Sequence, residues 1–184
     1  LKRMLDEKQQ KKLLEVARQS LRAAVAGANP PDLSTEDAQL QKVQGAFVTL
    51  KRNGDLRGCI GHIEGRLPLI ETIARMAEAA ALEDPRFPPV TEEELSDLSI
   101  EISVMSPLHE VSDIDEIEVG RHGLVISRGR NRGLLLPQVP ADWGWDRQQF
   151  LSQTCQKANL PADAWKDEDT TIEAFSAQVF SEDK

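Results

Sequence analysis

Apolar residues at three- and four-residue spacing mark the first element. Leu13, Leu14, Ala17, Leu21, Ala24 and Val25 line one stripe of residues 5–27, with Lys11, Lys12, Arg18 and Arg22 on the other faces. That pattern predicts an amphipathic helix, ended by Gly27 and Asn29-Pro30-Pro31. Residues 32–44 are polar and read as a loop with a short helical turn. The period then changes. Runs at 45–52 and 56–63 flank Asn53-Gly54-Asp55. Asn-Gly between apolar runs predicts an antiparallel hairpin, because both residues accept positive φ. Pro68 opens a second helix whose stripe is Leu69, Ile73, Met76 and Ala80. Its end, Ala79-Ala80-Ala81, lets another element pack closely. Asp84-Pro85-Arg86-Phe87-Pro88-Pro89 reads as a rigid loop presenting Arg86, since proline fixes φ and removes a donor. Thr91 with Glu94 is a capping-box pattern for a short helix over 92–97.

Residues 99–105 alternate cleanly. Ile100, Ile102 and Val104 face one way, and Glu101, Ser103 and Met105 the other, as in a strand with one buried face. Residues 110–119 read as a short helix leading to a turn at Gly120. Runs at 123–128 and 133–139 read as two strands joined by a hairpin loop over 129–132. The unalternating Leu134-Leu135-Leu136 predicts a strand covered on both faces. Asp146 is the expected N-cap of a helix over 147–158 that buries Phe150, Leu151, Thr154, Cys155 and Ala158. Residues 172–180 read as one last strand. Trp143 and Trp145 precede that N-cap, either as a partner surface or as a cap on the helix start. Helices interleaved with hairpins, without a βαβ rhythm, predict an α+β fold: a mainly antiparallel sheet with flanking helices.

The length, 184 residues, suits one domain over 1–184. A net charge of −9 argues against bulk binding to nucleic acid or to an anionic membrane. No apolar run reaches the length of a membrane-spanning helix, and no signal-peptide pattern opens the sequence as given. Two cysteines make no disulfide framework. A cytoplasmic setting with reduced thiols is therefore the expectation. Residues 121–137 lack any acidic side chain and carry Arg121, Arg128, Arg130 and Arg132. That window is either an anion-holding patch or a solvated hairpin tip.

The candidate chemistry centres on Leu56-Arg57-Gly58-Cys59-Ile60-Gly61. Two glycines inside a strand are costly and point to a close backbone approach or a bulge. Cys59 is either a nucleophile or a small buried core residue. On a flat strand Arg57 lies on the same face as Cys59, where its guanidinium would favour the thiolate. Gly58 and Gly61 would leave room for a ligand. Arg86, Ser103 and Arg57 are candidates to bind a small anionic one. Glu101, on the non-core face of its strand, and His122, beside a turn, are candidate proton carriers, with a solvent-facing role as the alternative for each. Cys59 with His62 makes a Cys-x-x-His pair, but the other potential ligands are scattered, so no metal is expected. No phosphate loop, no Gly-x-Ser-x-Gly elbow and no cluster motif is present, so no cofactor is expected.

The hexapeptide at 56–61, with residues 84–90, Leu98-Ser99-Ile100-Glu101-Ile102-Ser103-Val104 and Gly133-Leu134-Leu135-Leu136-Pro137-Gln138-Val139, resembles the AMMECR domain family. Prokaryotic members are called protein A of the AmmeMemoRadiSam system. The resemblance runs from about Leu13 to Glu182. It implies one domain of a larger and a smaller lobe with a cleft between them. It also implies partners: a Memo-type protein and a radical S-adenosylmethionine enzyme. It supplies no settled activity. Two functions stay open: a component that binds a small ligand or partner at a cleft around the hexapeptide, or a small cytosolic enzyme using Cys59 on an anionic or nucleotide-like substrate.

Overall fold

A computed structural model describes residues 4–182. Helix α1 (Glu7–Ala26) starts at a capping box. The Asp6 carboxylate accepts the Gln9 N–H at 2.8 Å, and the Gln9 side chain accepts the Asp6 N–H at 2.9 Å. Gly27 closes the helix in the left-handed region at φ 68°. A four-residue helix, α2 (Ala38–Gln41), follows. Strands β1 (Ala46–Arg52) and β2 (Asp55–His62) form the predicted hairpin, with Asn53 at φ 53° and Gly54 at φ 85° in the turn. Helix α3 (Leu69–Leu82) begins after Pro68, and Glu92–Asp97 is a 3₁₀ turn with the predicted Thr91–Glu94 capping box. Strand β3 (Leu98–Met105) pairs antiparallel with β1.

The remaining elements are β4 (His109–Glu110), β5 (Gly123–Arg128), β6 (Asn131–Leu135), α4 (Gln138–Trp143), α5 (Arg147–Lys157), β7 (Thr171–Phe175) and β8 (Ala177–Ser181). The described residues form two four-stranded sheets, ordered β2-β1-β3-β8 and β4-β7-β5-β6. All the strand pairings described are antiparallel, so the fold is α+β as the pattern implied.

The chain divides into two compact units. One holds the described residues up to Met105 and those from Gln178 onward; the other is Ser106–Ala177. In the first, α1 packs on α3, and the Ser20 hydroxyl donates to the Ala74 carbonyl between them. Leu13, Leu21, Ile73, Val48, Leu50, Ile100 and Ile102 fill its core. In the second, α5 covers β5 and β6 through Phe150, Leu151, Cys155, Leu124 and Ile126.

Three expectations are corrected. Residues 172–180 are two strands, not one: β7 lies in the second sheet and β8 in the first. The break is Ser176, whose N–H and carbonyl both bond Ser106, at 2.8 and 2.7 Å. The run 133–139 is not one strand either. It leaves β6 after Leu135, and Pro137, already at helical φ and ψ, starts α4. Leu134, Leu135 and Leu136 are half-buried on an edge strand rather than covered on both faces. The short helix expected within 110–119 is present as a 3₁₀ turn at Ile114–Glu116, and His109–Glu110 adds a short strand that the pattern did not predict.

Candidate functional site

The register of the first hairpin decides where Cys59 points. The Asn-Gly turn sets Arg52 opposite Asp55 and Lys51 opposite Leu56. An unbroken ladder would then place Val48, a fully buried core residue, opposite Cys59. Instead the register shifts between Leu50 and Lys51: Leu50 faces Gly58, and Thr49 faces Cys59. Arg57 is the extra residue of a β-bulge, and one extra residue exchanges the faces of everything after it. Ile60 therefore takes the core face opposite Val48, and Cys59 is half-buried on the other face. That face carries the row Cys59, Thr49, Glu101 and the row Gly61, Phe47, Ser103.

The glycines serve the protein's own packing. A Cβ on Gly58 would sit 2.1 Å from the Ala80 carbonyl oxygen, so β2 lies directly against the alanine-rich end of α3. A Cβ on Gly61 would sit 2.3 Å from the Ala46 carbonyl oxygen and 2.5 Å from Phe47 Cα. The space expected there for a ligand is filled by protein. The close approach predicted for the alanine triplet is present.

Arg57 does not turn to Cys59. Its Nε and Nη2 donate to both oxygens of Glu94, at 2.9 and 3.1 Å, and both side chains are only 13% exposed. The Arg57 hydrogen bonds hold Glu94 down at about 2, helped by the Thr91 N–H. Cys59 has other partners. The Thr49 hydroxyl donates to Sγ at 3.2 Å, and the Cys59 N–H donates to Asp84 Oδ2 at 2.9 Å. Asp84 thus seals an N–H on the outer edge of β2. Its carboxylate also takes the Arg86 Nε and Nη2, at 3.0 and 2.8 Å, and the Arg86 N–H at 3.1 Å. The Arg86 bonds hold this carboxyl well below the usual carboxylate range, against its burial. The same bond raises the Arg86 guanidinium, with a smaller contribution from nearby Cys59. Asp84's side chain is 2% exposed and Arg86's is 56% exposed. The Phe87 ring lies beside both guanidiniums, its centroid 5.9 Å from the Arg57 carbon and 5.5 Å from that of Arg86.

Glu101 and Ser103 lie on the same face of the sheet as Cys59. Glu101 is paired with Lys51 at 3.1 Å, and Ser103 is half-buried two residues along β3. His122 belongs to the second unit. There its Nδ1 accepts the Glu118 N–H at 3.0 Å, and its ring meets His109 edge to face at 6.1 Å. Burial, then Arg121, push it below the ordinary imidazole value. The basic window is partly neutralised: Arg121 bonds Glu118, and Arg128 bonds Asp167 at 2.9 Å. Trp143 is 72% exposed and stacks on Trp145, which packs against the second core. Cys155 is fully buried. Among the described residues, no three of His, Cys, Asp or Glu group to hold a metal ion, and no helix is long and apolar enough to cross a membrane.

Asp84, Glu94, Thr49 and Phe87 were missed as site residues. Asp84 carries a signal in the sequence, because an Asp-Pro-Arg loop lets a carboxylate bond the residue two positions on. Thr49 becomes visible only once the bulge fixes the register.

The family model described as AMMECR1 matches residues 14–180. A protein of Methanothermobacter thermautotrophicus is 45% identical over 181 residues, covering 93% of each chain. A protein of Thermococcus onnurineus is 44% identical over 184 residues, covering 93% of this chain and 89% of that one. The crystal structure of the uncharacterized protein PH0010 from Pyrococcus horikoshii is similar with a TM-score of 0.77 at 39% identity, over 94% of this chain and 90% of that one.

Proposed function

This chain belongs to the AMMECR1 family, and we propose that it acts there as a binding component rather than as a catalyst. Its surface around Cys59 and Arg86 holds a small ligand or a partner protein. Its setting is the cytoplasmic AmmeMemoRadiSam system, beside a Memo-type protein and a radical S-adenosylmethionine enzyme that supply the demanding chemistry. One observation carries this reading. The groups that would activate Cys59 are engaged elsewhere, Arg57 with Glu94, Arg86 with Asp84 and Glu101 with Lys51, and the partner on sulfur is a hydroxyl. A nucleophilic thiol is activated by an adjacent base or an uncommitted cation, and a threonine hydroxyl is neither at neutral pH. What faces outward is suited to recognition: a half-exposed guanidinium locked by a buried carboxylate, an aromatic ring and a half-buried thiol. Co-expression with the two partner proteins, followed by co-purification, tests the role. Retention of either partner, weakened by Arg86→Gln, is expected. A wild-type chain that retains neither sinks the partner-holding role and leaves the small ligand to be tested by titration.

The second reading, with Cys59 as nucleophile on an anionic or nucleotide-like substrate, is favoured by the bulge that brings the thiol out of the core and by the hydroxyl on its sulfur. Alkylation of folded Cys155→Ser protein across pH separates the two. Labelling of Cys59 already fast at pH 7, far below the free-thiol value of about 8.5, supports the enzyme. Labelling only on unfolding excludes it.

A further inference from the structure

Arg57 and Arg86 are built alike. Each gives its Nε and Nη2 edge to a carboxylate, Glu94 or Asp84, and each sets its guanidinium carbon within 6 Å of the one Phe87 ring. Each therefore keeps an Nη1 outside its carboxylate pairing. For Arg57 that atom is completely buried and has no hydrogen-bond partner. Burying an unpaired donor on a permanent cation is costly, and such a group marks a place where an acceptor belongs.

Resting on the reading that this surface binds a ligand, we propose that Arg57 and Arg86 form a carboxylate site, with the two Nη1 groups as donors and Phe87 as its apolar wall. Arg86 is the open end and receives the ligand. Arg57 is the buried end. Charge selects the class. Arg52, Arg57 and Arg86 are already matched by Glu94, Asp97 and Asp84. The cluster has directed donors but no surplus positive charge, which suits a singly charged carboxylate better than a phosphate dianion.

Arginine side-chain ¹H–¹⁵N NMR of the whole chain, titrated with acetate and with inorganic phosphate at neutral pH and matched ionic strength, tests this. Acetate is expected to shift the Arg57 and Arg86 signals saturably. Its affinity should fall about tenfold in Arg86→Lys and in Arg57→Lys, which keep the charge and lose the planar donors. Absence of saturable shifts, unchanged affinity in both variants, or tighter phosphate than acetate overturns the proposal. A backbone spectrum unchanged in Arg86→Lys guards against misfolding. Loss of acetate binding with partner retention intact removes the carboxylate site alone. Acetate binding without partner retention removes the partner-holding role alone.

Discussion

The two hairpins make the instructive comparison. β5–β6 turns at Gly129-Arg130 and pairs without interruption from Arg128 opposite Asn131 to Leu124 opposite Leu135. β1–β2 turns at Asn53-Gly54 and then slips by one residue at Arg57. The regular hairpin builds a core face with Leu124 and Ile126. The bulged one carries Cys59 out of the core and hands Arg57 to Glu94. A single unpaired residue, stabilised by a carboxylate from a neighbouring turn, separates a structural strand from one that can present a side chain.

The largest effect is expected from removing that anchor. Glu94→Ala leaves the Arg57 guanidinium buried without its carboxylate, and should cost about 3 kcal/mol in chemical denaturation. Arg128→Ala in the regular hairpin, whose pair with Asp167 is more exposed, should cost under about 1 kcal/mol. Equal costs would mean that the bulge is not held by Glu94.

The hairpin glycines sharpen the contrast. Gly58→Ala drives a methyl group into the Ala80 carbonyl and should cost roughly 2–3 kcal/mol, since backbone on both sides must move. Gly129→Ala meets open space at φ 60° and should cost about 1 kcal/mol from the left-handed backbone alone. The thermal midpoints of the two variants check this ranking.

Sequence patterning reached most of the first unit because its signals are local. The stripe of α1, the Asn-Gly turn, the Thr91–Glu94 box and the alternation of β3 all lie within a few residues. It failed where a distant contact decides. Nothing local separates β7 from β8, because the apolar pattern runs on through Ser176, and Ser106 makes the break. At Leu136, Pro137 turns an apolar run from strand to helix. At the site, the glycines signalled a bulge or a close approach, and both are present. A flat strand aims Arg57 at Cys59, and the bulge turns it to Glu94 instead. A lone acidic residue before a proline, such as Asp84, reads as turn chemistry until its partners are seen.

Acid tests the carboxylates that the two hairpins do not share. Glu94 and Asp84 both have folded values below their ordinary ones. Such a group favours the folded state in full above its unfolded value, and that contribution disappears as pH falls through the folded value. For Glu94 the window runs from 4.5 down to about 2, and Asp84 begins to lose its contribution below 3.8. Urea midpoints should therefore decline from about pH 4.5 downward. Glu94→Gln should flatten the upper part of that decline. A slope as steep as in the parent chain would show that the Arg57 pair contributes nothing to acid stability.

The smallest effect belongs to Thr49, and it reads the outward face of the bulged strand directly. The Thr49 hydroxyl donates to Cys59 Sγ at 3.2 Å from the opposing position of β1. Thr49→Val keeps the β-branched shape and removes the donor, so the strand pairing survives and stability should change by less than about 1 kcal/mol. The informative readout is iodoacetamide labelling of Cys59 at fixed pH. Loss of the hydroxyl that donates to the reacting sulfur should slow labelling several-fold while Cys155 stays unreactive in its core. An unchanged rate would mean that the hydroxyl fixes only the rotamer of the thiol. The bulge would then present Cys59 as a contact surface, and the nucleophile reading would lose the one group that the fold places on its sulfur.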